Sequence, residues 1–180
     1  MKSIHILFMS LLLINVAQAQ KKFITKKGFT SFYSHSPLED ITAKNHQVLS
    51  IIDAETGDIA ISILMKSFMF EKLLMQEHFN ENYVESDKYP KAFFKGKILQ
   101  FSTITSGPQT ATVEGLLTIH GVSKKIQTEV EITKNDSNIL LIGSFPVAVE
   151  EYNIKIPSIV IKNIAEVVKI DFTLDHQPYK

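Results

Sequence analysis

The sequence predicts an all-β domain, with about eight antiparallel strands and one short helix inserted between strands. Three observations predict it. Apolar and polar residues alternate in stretch after stretch, the period of a half-buried strand. Turn residues fall at short intervals between those stretches. One segment alone, Glu71 to Asn82, carries helical spacing and strong helix formers. A composition of 44% hydrophobic and 21% charged residues is that of an ordinary globular chain and argues against extended disorder.

Taken in order, Phe29 to Ser34 and Gln47 to Ile52 read as the first strands, and Asp53-Ala54-Glu55-Thr56-Gly57 as a hairpin connection. Asp58 to Phe70 reads as the next strand. Ile59, Ile61, Ile63 and Met65 alternate, then Phe68 and Phe70 continue on the even positions, so a bulge is expected near Leu64 to Ser67. In the helix, Phe70, Leu73 and Leu74, and Met75, Phe79 and Tyr83, share helical spacing. Leu74 and Phe79 are expected to face the interior, and Glu71, Lys72, Glu77 and Glu81 water. Pro90 ends the loop that follows.

The second half is more regular. Ala92 to Phe101 places Phe94, Gly96 and Ile98 on one face, and Ser106-Gly107-Pro108 turns the chain. Ala111 to His120 sets Val113, Gly115, Leu117 and Ile119 against a more polar face before a tight turn at Gly121. Ile126, Thr128, Val130 and Ile132 repeat the pattern, and Asn135 to Asn138 is a turn cluster. Ile139 to Val149 aligns Phe145, Val147 and Val149, with Pro146 inside it, which belongs at an edge or a bulge. Ala165 to Leu174 closes the series with Val168, Ile170, Phe172 and Leu174 inward. Such a sheet must fold into a sandwich or close as a barrel. An eight-stranded interior is either filled by side chains or holds one small ligand, and periodicity does not choose between the two.

The first nineteen residues read as an address. Lys2 precedes an apolar run from Ile4 to Val16, and Ala17-Gln18-Ala19 offers a small-x-small cleavage pattern. The expectation is a signal peptide over 1–19, cleaved after Ala19, and one domain over 20–180 placed in the periplasm or secreted; an uncleaved N-terminal anchor is the alternative. No later stretch is long and apolar enough to span a bilayer as a helix.

Composition also narrows the chemistry. The formal net charge is zero and every basic residue is Lys, which argues against a nucleic-acid partner. Zero Cys excludes disulfides, a thiol nucleophile and thiolate metal sites. The chain has no GxSxG, SxxK, HExxH or Gly-rich phosphate loop. Beyond the leader the histidines are His35, His46, His78, His120 and His176, none spaced to share one face as ligands, so no metal site and no required cofactor are expected. His78 is the best single polar candidate, with capping of the helix end as its plainer role. His120 reads as a turn residue, and Glu150-Glu151 as a solvated turn rather than a carboxylate pair. Phe68, Phe70, Phe79, Phe93 and Phe94, with Met65, Met69 and Met75, gather around the helix; such a cluster is either ordinary core or the lining of an adaptable apolar pocket.

Two motifs carry a resemblance. The first is His78-Phe79, Tyr83, Glu85-Ser86, Lys88-Tyr89-Pro90, Phe94 and Gly96. The second is Gly115-x-Leu117-Thr118-Ile119-His120-Gly121-Val122-Ser123-Lys124. In this order and spacing they resemble the YceI-like family, over roughly Gly57 to Leu174. The resemblance implies a lipocalin-like antiparallel β-barrel whose apolar lumen takes a long isoprenoid or similar amphiphilic lipid, such as an isoprenoid quinone or polyprenyl lipid; it implies no catalytic residues. The leading expectation is therefore a non-enzymatic extracytoplasmic lipid carrier. Its inward candidates are Ile61, Ile63, Phe68, Phe70, Leu74, Phe79, Phe94, Leu117, Ile119, Val130, Phe145, Val147, Ile170 and Phe172. Two alternatives stand beside it: a filled barrel acting as a stress-response or interaction module without ligand, and a lipid-modifying enzyme using His78 or His120. The oligomeric state is left open, a homodimer included.

Overall fold

The computed structural model describes residues 22–157 and 164–179; the leader expected over 1–19 lies outside them. The chain forms β1 (Lys22–His35), β2 (Asp40–Asp53), β3 (Asp58–Leu64), β4 (Met69–Phe70), α1 (Leu73–His78), β5 (Lys91–Ile98), β6 (Gly107–Ile119), β7 (Val122–Lys134), β8 (Ile139–Ala148) and β9 (Val167–Pro178). Every pairing between these strands is antiparallel. The order β1-β9-β8-β7-β6-β5-β3-β2 closes through a β1–β2 pairing, giving an eight-stranded barrel. β4 is a two-residue spur on β2, where Ala43 faces Phe70. Closure gives each of the eight strands a partner on both sides and so removes the continuous free edge that makes flat sheets aggregate.

The local chemistry explains most of the elements. His120 and Gly121, both at positive φ (49° and 76°), form the two-residue turn between the paired Ile119 and Val122. Two positive-φ centres match the twist of a tight hairpin. Asp53 Oδ1 accepts the Glu55 and Thr56 amides in the β2–β3 turn, and Asn135 Oδ1 accepts those of Ser137 and Asn138 between β7 and β8. Gly96 and Gly115 are cross-strand partners, and the Phe94 ring lies over both: a Cβ on either would stand 2.6 or 2.8 Å from its Cζ. Gly143 makes the same room for Phe172. The glycines are there to seat phenylalanines inside the barrel wall.

Several expectations change. β1 and β2 are each 14 residues long, well beyond the segments read from sequence, because several of their buried positions, among them Thr30, Ser34, Asn45 and Ser50, are polar and hide the alternation. The register change after β3 is not a bulge: a 3-10 turn, Met65–Ser67, ends β3 and lets the chain re-pair with β2 as β4. The helix is shorter at its start, Leu73–His78, and continues as a π turn, Phe79–Tyr83. Pro146 does lie at an edge. β8 pairs with β7 only from Ile139 to Gly143, while Ser144 to Ala148 pairs with β9 alone, so the missing amide of Pro146 breaks no ladder bond. Into the wedge where β7 and β8 part goes a 3-10 turn, Val149–Tyr152, with Tyr152 and Ile154 buried.

The core sits at one end of the barrel. Ile52, Ile98, Ile132, Ile139, Leu141 and Leu174 are sealed from water there. Beside them His176 is fully buried. Its Nδ1 donates to the Ile139 carbonyl at 3.0 Å, and its Nε2 accepts from the Ser50 hydroxyl at 2.8 Å. Burial holds its pKa below the ordinary 6.5, so the ring is neutral.

Candidate functional site

At the other end the strands enclose space instead of side chains. An apolar cavity of about 470 Å³ runs from the barrel interior to an opening beside α1. Its volume falls in the range of roughly 300–1,000 Å³ usual for small-molecule sites. A smaller void of about 70 Å³ lies deeper in the same lumen and shares Thr30, Ile63, Leu117, Phe145 and Ile170 with it as lining.

The cavity exists because of what stands at its top. Phe32 from β1, Phe68, Phe70 from β4 and Phe79 from the π turn form a four-ring cluster. Phe32 stacks on Phe79 at 5.5 Å between centroids, and Phe70 and Phe68 meet Phe79 at 5.1 and 5.7 Å. Such stiff rings span the barrel mouth without collapsing into it. α1 is held over this cluster by Gln76, whose Oε1 accepts the Phe70 amide at 3.2 Å. Its Leu74, Met75 and His78, with the following Phe79, line the cavity.

The other side of the mouth is fastened by residues of both sequence motifs. His120 Nε2 lies 2.6 Å from Glu85 Oε2, and its Nδ1 donates to the Tyr152 carbonyl at 3.1 Å. The Tyr89 ring meets His120 edge-on at 4.5 Å. The hydrogen bond from His120 holds the Glu85 carboxyl below its usual range. One imidazole thus ties the β6–β7 turn to the loop after the helix and to the turn in the β7–β8 wedge. It is absent from the linings of both voids, so its place is structural, as a turn residue, with a reach across the mouth that sequence did not show.

All the inward candidates read from sequence line one void or the other. Ile63, Phe68, Phe70, Leu74, Phe79, Leu117, Ile119, Phe145, Val147 and Ile170 line the large cavity, and Ile61, Phe94, Val130 and Phe172 the small one. Sequence reasoning missed Phe32, Ile41, Tyr83 and Ile154, and also the hydroxyls of Thr30 and Ser34. The signal for β1 was present, since Thr30, Phe32 and Ser34 alternate, but small hydroxylated residues hide an inward face. Both hydroxyls are engaged with backbone: Thr30 Oγ1 donates to the Asp171 carbonyl at 3.0 Å, and Ser34 Oγ accepts the Ala165 amide at 2.8 Å. Lys72, read as facing water only, also lines the opening. Its Nζ meets Glu39 Oε1 of the β1–β2 loop at 2.5 Å, and that contact raises the Lys72 pKa.

Chemically the site can bury a long apolar chain and offers a lysine, a carboxylate and His78 at its opening. Among the described residues no group of three or more His, Cys, Asp or Glu is placed to hold a metal ion. The Ser50–His176 pair lines neither void, so no substrate reaches it through them. No helix of the described residues is long and apolar enough to cross a membrane.

Comparison with known proteins agrees with this geometry. No curated protein matches the chain in sequence. The structure resembles a polyisoprenoid binding domain from Saccharophagus degradans implicated in plant cell wall breakdown, with a TM-score of 0.77 and 16% identity over 89% of this chain and 99% of that one. It resembles BcnA of Burkholderia cenocepacia with a TM-score of 0.70 and 19% identity, covering 83% and 96%. A Campylobacter jejuni YCEI protein follows at a TM-score of 0.51 and 16% identity, covering 87% and 86%. At these identities the likeness speaks for the fold. The family model for the YceI-like domain matches residues 20–176. It includes β1 and β2, which the resemblance read from about Gly57 onward had left out. With the barrel, the two motifs at its mouth and this match in hand, the chain belongs to the YceI-like family.

Proposed function

We propose that this protein binds and carries an isoprenoid-like or similar amphiphilic lipid in its barrel lumen, outside the cytoplasm. The observation that carries the reading is the 470 Å³ apolar cavity, open at the helix end. The hydrophobic effect supplies the affinity, at about 25 cal/mol per Å² of apolar surface removed from water. The tail lies among Ile63, Leu117, Ile119, Phe145 and Ile170, under the four phenylalanines, while Lys72, Glu39 and His78 meet the polar end at the opening. The S. degradans neighbour, described as a polyisoprenoid binding domain, supports the ligand class. An isoprenoid quinone or polyprenyl lipid suits a mostly apolar cavity with Lys72, Glu39 and His78 at its opening. Among the described residues no nucleophile–base pair opens onto the cavity, which favours binding over catalysis.

The filled-barrel alternative requires a lumen plugged by side chains, and a cavity of this size counts against it. Export rests on the leader over 1–19. Sequencing the N-terminus of the protein recovered from cells should start at Gln20; a start at Met1 or Lys2 would remove that part of the proposal. Native mass spectrometry after gentle extraction tests the ligand. A bound species with the mass of a polyprenyl lipid or quinone is expected. A consistently empty protein that also refuses added isoprenoid quinone would overturn the carrier reading.

A further inference from the structure

Beside the opening of the cavity stand apolar side chains that are largely exposed among the described residues. Leu73 is 75% exposed, Leu38 66%, Met69 61% and Leu74 61%. They come from three separate elements: the β1–β2 loop, β4 and α1. The Lys72–Glu39 ion pair brings two of these together, since Glu39 follows Leu38 and Lys72 precedes Leu73. Met69 stands on the outer face of β4, whose next residue, Phe70, lines the cavity. Leu74 belongs to both surfaces, protruding into solvent and lining the cavity.

We infer that this rim docks on the surface of a lipid bilayer, so that the lipid passes between membrane and lumen without crossing water; the inference rests on the carrier reading above. Three features favour a bilayer over a protein occupant. The protruding residues are aliphatic, in a chain without Trp or Arg, whereas the energetic centres of protein interfaces are chiefly Trp, Tyr and Arg. Four side chains offer far less than the roughly 800 Å² per partner that a stable dimer needs. A second copy seated mouth to mouth would also stopper the one large cavity seen among the described residues. A bilayer accepts a few inserted aliphatic side chains and leaves the lipid a continuous apolar path.

Charge refines the lipid surface. Lys44, Lys66 and Lys72 near the rim stand against Glu39, Asp40, Glu71, Glu77 and Asp87, so the rim carries no basic excess. Docking is therefore driven by apolar insertion and should persist on zwitterionic lipid and in salt, unlike binding by a polybasic patch.

The test uses the domain from Gln20 onward, which holds every described element and lacks the apolar segment at 4–16. Flotation with phosphatidylcholine vesicles is compared for this domain and for the triple variant Leu38→Ser, Met69→Ser, Leu73→Ser, none of which lines either void. The unaltered domain should float with the vesicles. The variant should lose at least about tenfold in partitioning, since burial of one such side chain is worth a factor of ten or more. Both proteins should load equally with isoprenoid quinone presented in detergent. If the unaltered domain stays in solution, or the variant floats as well as it does, the docking surface is wrong. Conversion of a dimer to a monomer by the variant would give the rim to a second copy and overturn the proposal too. Failure of both proteins to load from detergent would remove the carrier reading on which the inference rests, whatever the vesicles show.

Discussion

The same eight strands build two unlike ends. At the closed end, Ile52, Ile98, Ile132 and Ile139 meet with no exposed surface, joined by the neutral His176–Ser50 pair. At the helix end, inward positions of neighbouring strands face a cavity of about 470 Å³. Both ends are apolar, and hydrophobicity alone does not separate them. What differs is the shape and anchorage of the side chains. β-branched aliphatics from facing strands interdigitate and fill the closed end. Four phenylalanines on β1, β4, the Met65–Ser67 turn's exit and the π turn brace one another across the open end and hold a helix above empty space. A barrel of this size can be filled or hollow; here it is filled at one end and hollow at the other.

The sharpest way to break the comparison is at the closed end. Ile132→Ala removes a fully buried side chain that lines neither void and should cost about 2–5 kcal/mol in denaturant unfolding, with lipid affinity of the folded fraction unchanged. Loss of lipid binding in a stably folded Ile132→Ala protein would show that the two ends are not independent. Next in size, Gly115→Ala should destabilise by about 1–3 kcal/mol, because its Cβ would stand 2.3 Å from the Lys95 carbonyl oxygen and 2.8 Å from the Phe94 ring. Thermal melts of this variant against Gly107→Ala, at a position with nothing within 4 Å of its Cβ, isolate the crowding, since Gly107 pays only for its positive φ.

Phe79→Ala should reverse the pattern. Phe79 is only partly buried, so its truncation costs less than the roughly 3–5 kcal/mol of a fully buried phenylalanine, yet it removes the centre of the ring cluster. Lipid dissociation, followed by transfer to acceptor vesicles, should speed up markedly. Wild-type release from this variant would take the helix and its rings out of the account. Lys72→Gln should speed release slightly, because it breaks the bond to Glu39 across the opening, and leave the melting temperature where it was.

Acid should weaken the closed end first. His176 has a folded pKa below its unfolded 6.5, so the unfolded chain takes up the proton more readily. Its contribution is complete above pH 6.5 and is lost as pH falls from there toward the folded value. Glu85, also lowered, adds a second loss at lower pH, as the carboxylate that meets His120 is protonated. Urea titrations at pH 7.5 and 5.5 should show reduced stability at the lower pH, and a His176→Gln variant should show a smaller drop. Equal stability of the unaltered protein at both values would mean that His176 carries its proton in the fold.

How legible this was in sequence follows the same division. β5 to β9 read clearly because each strand has one apolar and one polar face, as Val113, Leu117 and Ile119 against Glu114 and Thr118 illustrate. β1 and β2 read poorly because their inward residues include Thr30, Ser34, Asn45 and Ser50, polar groups that are buried and hydrogen-bonded. Local pattern has no access to a partner more than a hundred residues away, such as Ala165 for Ser34 or His176 for Ser50. The inward face of the cavity followed from alternation. That it is hollow did not, since the same phenylalanines would serve equally to plug it. His120 illustrates the remaining limit: a turn residue by its place in the chain, it proves to fasten three segments that meet only in the folded barrel.

A methyl-resolved NMR titration with an isoprenoid quinone tests the difference between the two ends most directly. The account predicts that methyl signals of Ile63, Met75, Leu117, Ile119 and Ile170 shift on binding, while those of Ile98, Ile132 and Ile139 at the closed end hold still. No shift within the cavity, or shifts confined to methyls on the outer wall such as Leu116 and Ile142, would contradict it.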